Sequence, residues 1–257
     1  MSKTQTDTRT QHDAQVDSFE QPLVNHLIEL RRRLLTSILA IFIIFIPLYF
    51  FANEIYLFVA QPLMERLPSG STMIATEVAS PFLTPFKLAI FAALFIAVPY
   101  ILHQAWAFIA PGLYLGEKKF ALPLLASSIV LFYMGVAFAY FVVFPLVFQF
   151  MTSVTPVGVT MMTDINRYLD FVLKLFFAFG FAFEVPIATL LMVWSGMTTV
   201  ESLSRKRPYI VVGCFVVGML LTPPDVISQI LLALPTWILF EIGLLFARVV
   251  ERRRTAE

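Results

Sequence analysis

The lysines and arginines of this chain fall almost entirely on one side of its apolar segments. Six long apolar stretches lie near residues 34–52, 86–110, 120–146, 169–194, 208–222 and 226–247. On one side of them sit fourteen basic residues: Lys3, Arg9, Arg31, Arg32, Arg33, Lys118, Lys119, Arg205, Lys206, Arg207, Arg248, Arg252, Arg253 and Arg254. Only four, Arg66, Lys87, Arg167 and Lys174, fall on the other. A bias that alternates with every span is the positive-inside signature, and it predicts that both termini face the cytoplasm. Backbone in lipid must satisfy its own hydrogen bonds, which long apolar runs do as helices. The predicted fold class is therefore all-α, a polytopic membrane protein with six transmembrane helices.

Composition narrows the function classes. Charged residues make up 14% of the chain and hydrophobic residues 59%, against about 25% charged in a soluble domain. A net charge of +1 gives no electrostatic reason to expect a nucleic-acid partner. Cys214 is the only cysteine, which rules out an intrachain disulfide or a cysteine metal cluster. Neither a phosphate-binding G-x-x-x-x-G-K-[ST] loop nor an H-E-x-x-H zinc motif is present, so no cofactor is expected. Residues 1–18 are polar and predicted to be a disordered cytoplasmic tail, and 251–257 a second short tail. Arg31, Arg32 and Arg33 before an apolar run imitate a signal peptide. The run is about 19 residues and five more spans follow, so it reads as a retained helix.

Residues 19–33 lead into the first span as an amphipathic helix. Leu23, Val24, Leu27, Ile28, Leu30 and Leu34 share one face; Asn25, His26, Glu29, Arg32 and Arg33 share the other. Arg31 falls on the apolar stripe and needs a partner or the headgroup region. The outer segment 53–85 is punctuated by Pro62, Pro68, Gly70, Pro81 and Pro85 yet rich in apolar residues, which predicts an ordered cap with short helices. Pro99 predicts a kink in the second span, and a second outer loop is expected over 147–168. The fifth span, at about 15 residues, reaches about 22 Å against a hydrocarbon core of about 30 Å. It forms a short hairpin with the sixth, turned at 222–225 with Asp225 as the helix N-cap. Such a hairpin thins the bilayer locally or is covered by a partner.

Several residues carry potential chemistry. Glu184 lies near the middle of the fourth span, where a carboxylate costs about 2.5–3.5 kcal/mol on insertion scales and must face protein or water. It either bonds a neighbouring helix as a protonated carboxyl or lines a polar cavity used by a ligand. Lys174 is about 15 Å away along the helix, too far to pair with it, and is expected to pair with Asp170 at i, i+4. Spacing alone gives Glu29 a pair with Arg33 and Glu117 a place at a helix N-terminus; Glu241, two turns before Arg248 on one helical face, is expected to make a structural interhelical or snorkelled pair. Met219, Thr222 and Gln229 form a polar streak on the hairpin, suited either to packing within it or to docking a partner helix. His12, His26 and His103 are scattered and assemble no catalytic or metal-binding set.

A series of short strings carries a family resemblance: HLIELR at 26–31, SPFLTPFKL at 80–88, WAFIAPGL at 106–113, FAYFVVFP at 138–145, FEVP at 183–186, RKRPY at 205–209 and MLLTPPD at 219–225. In order and spacing, from about residue 20 to 250, the chain closely resembles the TatC family, the C subunit of the twin-arginine translocase. The resemblance implies a receptor rather than an enzyme, with a concave bundle capped on its extracytoplasmic side. It implies recognition of folded precursors through a signal peptide bearing two consecutive arginines. The single-span partners are TatA and TatB, further TatC copies join the complex, and the proton-motive force drives transport in a prokaryotic inner membrane. Glu29 and Glu117 match the glutamates that bind the arginine pair, and Arg31 and Phe108 belong to the same signal-binding region. Pro62 matches a position of the cap and Glu184 the family's intramembrane carboxylate. Met219, Thr222 and Gln229 match a partner-docking patch, and Asp225 the turn of the hairpin. The loop at 114–117 (YLGE) is less basic than in many relatives. A secondary transporter would instead show mirrored repeats with broken helices, and an intramembrane enzyme a paired nucleophile and base. Neither pattern is visible.

Overall fold

The structure, a computed structural model, describes residues 4–64, 73–109, 118–156, 162–221 and 226–254. Helix α1 runs Thr4–Tyr49, and its apolar part, Leu27–Tyr49, is long enough to cross a membrane. Residues 4–18, expected to be disordered, are helical instead. They contain neither Gly nor Pro, and a helix already nucleated gains one hydrogen bond for each residue added. A tight turn, with the Phe51 N–H donating to the Leu48 carbonyl at 3.0 Å, leads into α2, Ala52–Met64. This is the short helix expected in the cap. Helix α3 is Ser80–Ile109 and carries Pro85 and Pro99 inside it.

The third span is not one regular helix. Helix α4, Lys118–Phe138, passes through a π-helical turn, Ala139–Val143, into α5, Phe144–Ser153. The cause is Pro145. It has no N–H to offer the carbonyl four residues back, and its ring crowds that carbonyl. Widening the turn by one residue, with the Phe144 N–H donating to the Ala139 carbonyl, absorbs both problems. Helical structure therefore continues to Ser153, where an outer loop from residue 147 was expected. Helix α6 is Ile165–Trp194, α7 Val200–Arg205, α8 Arg207–Leu221 and α9 Val226–Arg254. Five helical stretches have the length and hydropathy to span a bilayer, and α8 is the shorter apolar helix. The architecture is that of an all-helical, six-span membrane protein.

Helix α6 is the hub. It packs on α9, α4 and α3, while α1 packs mainly on α3 and α8 on α9. Accordingly 56% of the α6 span is buried within the protein against 6% of the α1 span. Lipid tails are as apolar as leucine, so helix association in a membrane depends on close packing rather than on hydrophobicity. The α4–α6 crossing achieves this with glycine on both sides. A Cβ on Gly180 would lie 2.6 Å from the Phe132 ring, and one on Gly135 would strike the Phe179 carbonyl oxygen. Around the crossing, Phe144 and Phe176 sit 5.2 Å apart and Phe95 meets Phe176 edge-on at 5.7 Å, a favoured aromatic geometry. A smaller cluster of Val193, Val200, Leu203, Phe240, Leu244 and Ala247 fills the end near the basic loops. Because the obstacle at Gly135 is backbone, Gly135→Ala is predicted to cost about 1–3 kcal/mol by overpacking, read as a lower thermal midpoint in detergent.

Candidate functional site

At the basic end, Glu29 and Arg33 lie one turn apart on α1. Arg33 donates to Glu29 Oε1 from Nε at 3.0 Å and from Nη2 at 2.5 Å. Its Nη1 donates at 3.1 Å to Oε1 of Gln104 on α3. The i, i+4 pair expected from the sequence is present, and Gln104 extends it across the α1–α3 interface. The pair is only partly exposed, with relative side-chain exposures of 24% for Arg33 and 36% for Glu29. Thr36 and Ser37 both donate their hydroxyls to the Arg33 carbonyl at 2.9 Å, which fixes the helix here. Arg31 and Arg32 are exposed, and Phe108 is half-buried near the end of α3. Glu117 lies outside the described residues.

Inside the span, Glu184 accepts a hydrogen bond from Ser128 of α4 through Oε2. Its Oε1 is buried with no donor among the described residues. The sequence offered bonding to a neighbouring helix or lining a cavity; the carboxyl bonds a neighbouring helix and keeps one oxygen unused. Ser128 was not singled out from the sequence. A hydroxyl in an apolar span is the signal that identifies such a partner.

One predicted pair is replaced by another. Asp170 bonds Lys87 of α3, not Lys174, which is exposed. The α3–α6 packing presents Lys87 to the carboxylate from the facing helix. Glu241 makes the interhelical pair expected of it, accepting from Arg207 Nη2 at 2.7 Å. Arg207 comes from the neighbouring α8, whereas Arg248 is about 10.5 Å further along α9 itself. On the hairpin, Gln229 Nε2 donates to the Phe215 carbonyl at 2.9 Å, which ties α9 to α8, while Met219 is exposed. Thr222 and Asp225 lie outside the described residues.

The cap is joined to the spans through hydrogen bonds whose origin is readable in the chain. Pro62 lacks an N–H, so the Phe58 carbonyl four residues earlier has no helical donor. The Tyr140 hydroxyl, from the π-helical turn, donates to that carbonyl at 3.0 Å. Tyr168 of α6, almost fully buried, donates to the adjacent Val59 carbonyl at 2.8 Å. The segment before α3 is pinned at Ile74, whose N–H donates to the Thr163 carbonyl at 3.0 Å and whose carbonyl accepts from the Ile165 N–H at 2.9 Å. Asp164 completes the junction. It caps α6 by accepting from the Asn166 and Arg167 N–H groups, each at 3.0 Å. It also accepts from the Thr76 hydroxyl at 2.6 Å and the Thr76 N–H at 2.9 Å. These donors, the Thr76 hydroxyl above all, hold its carboxyl at about 2 against an ordinary 3.8.

Fold and site together define a polytopic helical membrane protein with one carboxylate held at its basic end and another within a span. Comparison with known proteins specifies the kind. The family profile described as "Sec-independent protein translocase protein (TatC)" matches residues 25–235. The TatC protein of Azotobacter chroococcum is 63% identical over 238 residues, 92% of this chain and 93% of that one. The TatC protein of Escherichia coli K12 is 59% identical over 228 residues, covering 89% and 88%. A crystal structure of the twin-arginine translocase receptor TatC superposes with a TM-score of 0.79 at 38% identity, over 87% of this chain and 98% of that one. The chain belongs to the TatC family and is a component of a Sec-independent protein translocase.

Two outcomes test the cap. Tyr140→Phe leaves the Phe58 carbonyl without its donor and is predicted to cost about 0.5–1.5 kcal/mol, read as faster proteolysis within α2 and a lower thermal midpoint. Asp164 has a depressed carboxyl, so its contribution is complete above pH 3.8 and is lost as pH falls through about 2. Hydrogen exchange at residues 74–76 should accelerate across that window in the wild type. In Asp164→Asn it should be fast at every pH.

Proposed function

We propose that this chain is the receptor subunit of a twin-arginine translocase, sitting in a prokaryotic inner membrane with both termini in the cytoplasm. The fourteen-to-four partition of basic residues supports that orientation. The observation that carries the reading is Glu29: a carboxylate on α1 paired with Arg33, which also bonds Gln104 of α3, and only partly open to solvent. It would bind one arginine of a twin-arginine signal peptide, and Glu117, on the next loop of the same side, the other. Arg31 and Phe108 border the site.

The chemistry favours arginine. Guanidinium presents a planar fork of donors that a carboxylate accepts through two parallel bonds, whereas lysine is a strongly hydrated point charge. Fully exposed pairs contribute only about 0–1 kcal/mol. Truncating a desolvated charge pair costs about 2–5 kcal/mol, and a partly buried carboxylate moves the site toward that regime. The apolar part of the signal peptide then lies along the concave face of the bundle. Glu184, deep in the span, acts at a later step than arginine recognition. Single-span partners of the TatA and TatB kind dock along the short hairpin through Met219, which is exposed, Thr222 and Gln229. Further copies of the chain join the complex, and the proton-motive force drives export of the folded precursor.

The test is a binding titration in nanodiscs with a twin-arginine peptide and its twin-lysine counterpart. Wild type should prefer arginine, and Glu29→Gln and Glu117→Gln should each remove most of that preference. Wild-type discrimination in both correctly inserted variants would overturn the site. Glu184→Gln should retain peptide binding yet lose precursor transport in membrane vesicles; full transport would exclude Glu184 from the mechanism.

A further inference from the structure

The carboxylate read above as the receptor for a signal-peptide arginine already holds one. Arg33 places two donors, Nε at 3.0 Å and Nη2 at 2.5 Å, on the same oxygen of Glu29. The usual fork-to-carboxylate pair puts one bond on each oxygen. Here Oε1 has both lone-pair positions committed, and Oε2 has no partner among the described residues. An incoming guanidinium cannot form two parallel bonds to Glu29 while Arg33 stays where it is.

We infer that Arg33 is a resident competitor for the signal-binding carboxylate, and that loading the site is an exchange of one guanidinium for another. This rests on the signal-peptide reading of Glu29. Two features of the geometry suit an exchange. The pair is partly solvated, and exposed or half-exposed pairs are weak enough to open. Arg33 also has a second anchor that the exchange leaves in place. Its Nη1 bonds Gln104 Oε1 at 3.1 Å, so a displaced guanidinium remains held against α3 rather than released into the incoming cation. The exchange keeps the carboxylate neutralised when no precursor is present, and it raises the threshold for every cation that approaches. A ligand that must displace a competitor binds with its intrinsic affinity multiplied by the fraction of sites that are open.

Competition predicts a sign opposite to that of a supporting residue. Removing a brace weakens binding, whereas removing a competitor strengthens it, most of all for the guanidinium fork, which needs both oxygens, and less for an ammonium, which can use Oε2 alone. In nanodiscs, Arg33→Gln is predicted to bind the twin-arginine peptide about two- to fivefold tighter than wild type. It should bind the twin-lysine peptide tighter by a smaller factor, because an ammonium can already use Oε2. Arg33→Lys keeps the charge but loses the fork, and should also bind the twin-arginine peptide more tightly than wild type. It serves as the second variant if Arg33→Gln fails to insert. Unchanged or weaker binding in the inserted variants would overturn the exchange, provided that Glu29→Gln still lowers twin-arginine affinity. If Glu29→Gln leaves that affinity unchanged, the failure belongs to the site itself, and the exchange falls with it.

Discussion

Hydrocarbon offers no hydrogen-bond partner, and that constraint orders the rest of this structure. Polar groups in and beside the spans mostly find their complement in the protein, and it usually comes from another helix. Ser128 of α4 serves Glu184 of α6, Lys87 of α3 serves Asp170 of α6, and Gln229 of α9 serves a carbonyl of α8. The same rule explains the prolines. Each removes a donor and leaves a carbonyl in need, and the cap is built from those needs. Pro62 frees the carbonyl of Phe58, Pro145 forces the π-helical turn, and Tyr140 on that turn reaches back to satisfy what Pro62 left open. Two backbone defects far apart in sequence thus become one contact between α2 and the third span.

Helix α6 is where these contacts meet. It carries Asp164 at its cap, Tyr168 and Asp170 in its outer turns, Glu184 deeper, and Gly180 at the close crossing with α4. A buried central helix keeps its polar side chains at fixed depths, which gives Glu184 a defined place in the bilayer. Helix α1 is the opposite case, with little of its span covered by the rest of the chain. Its fixed point is at the basic end, where Arg33 reaches Gln104. The carboxylate proposed to receive the signal peptide lies at that end.

The amino-acid sequence made the class of fold legible because hydropathy and charge asymmetry are one-dimensional signals. The six spans, the short α8 and the α2 cap helix all follow from them. It also gave the Glu29–Arg33 pair, because neighbours at i, i+4 are fixed by the helix itself. What it did not reveal was set by contacts between helices. Asp170 looks as near to Lys174 as Glu29 does to Arg33, yet Lys87 takes it from α3; for Glu241 an interhelical pair was expected, but not which residue, Arg207 of α8, would make it. The extension of α5 to Ser153 was hidden because a proline near a span's end reads as a stop, and the π-helical turn that carries the chain past it leaves no periodic signature. Along 4–18, low hydrophobicity argued for disorder, while the absence of helix breakers let the helix run through.

The central claim is that the Glu29 carboxylate receives a guanidinium of the signal peptide. The most direct measurement is a solid-state NMR distance between an arginine-guanidinium ¹⁵N in a bound twin-arginine peptide and the ¹³C-labelled Glu29 carboxyl in nanodiscs. Direct pairing predicts a donor-to-oxygen approach within about 4 Å, seen as strong dipolar transfer to one of the two arginines. A saturated complex showing no transfer from either arginine to Glu29 would contradict the account.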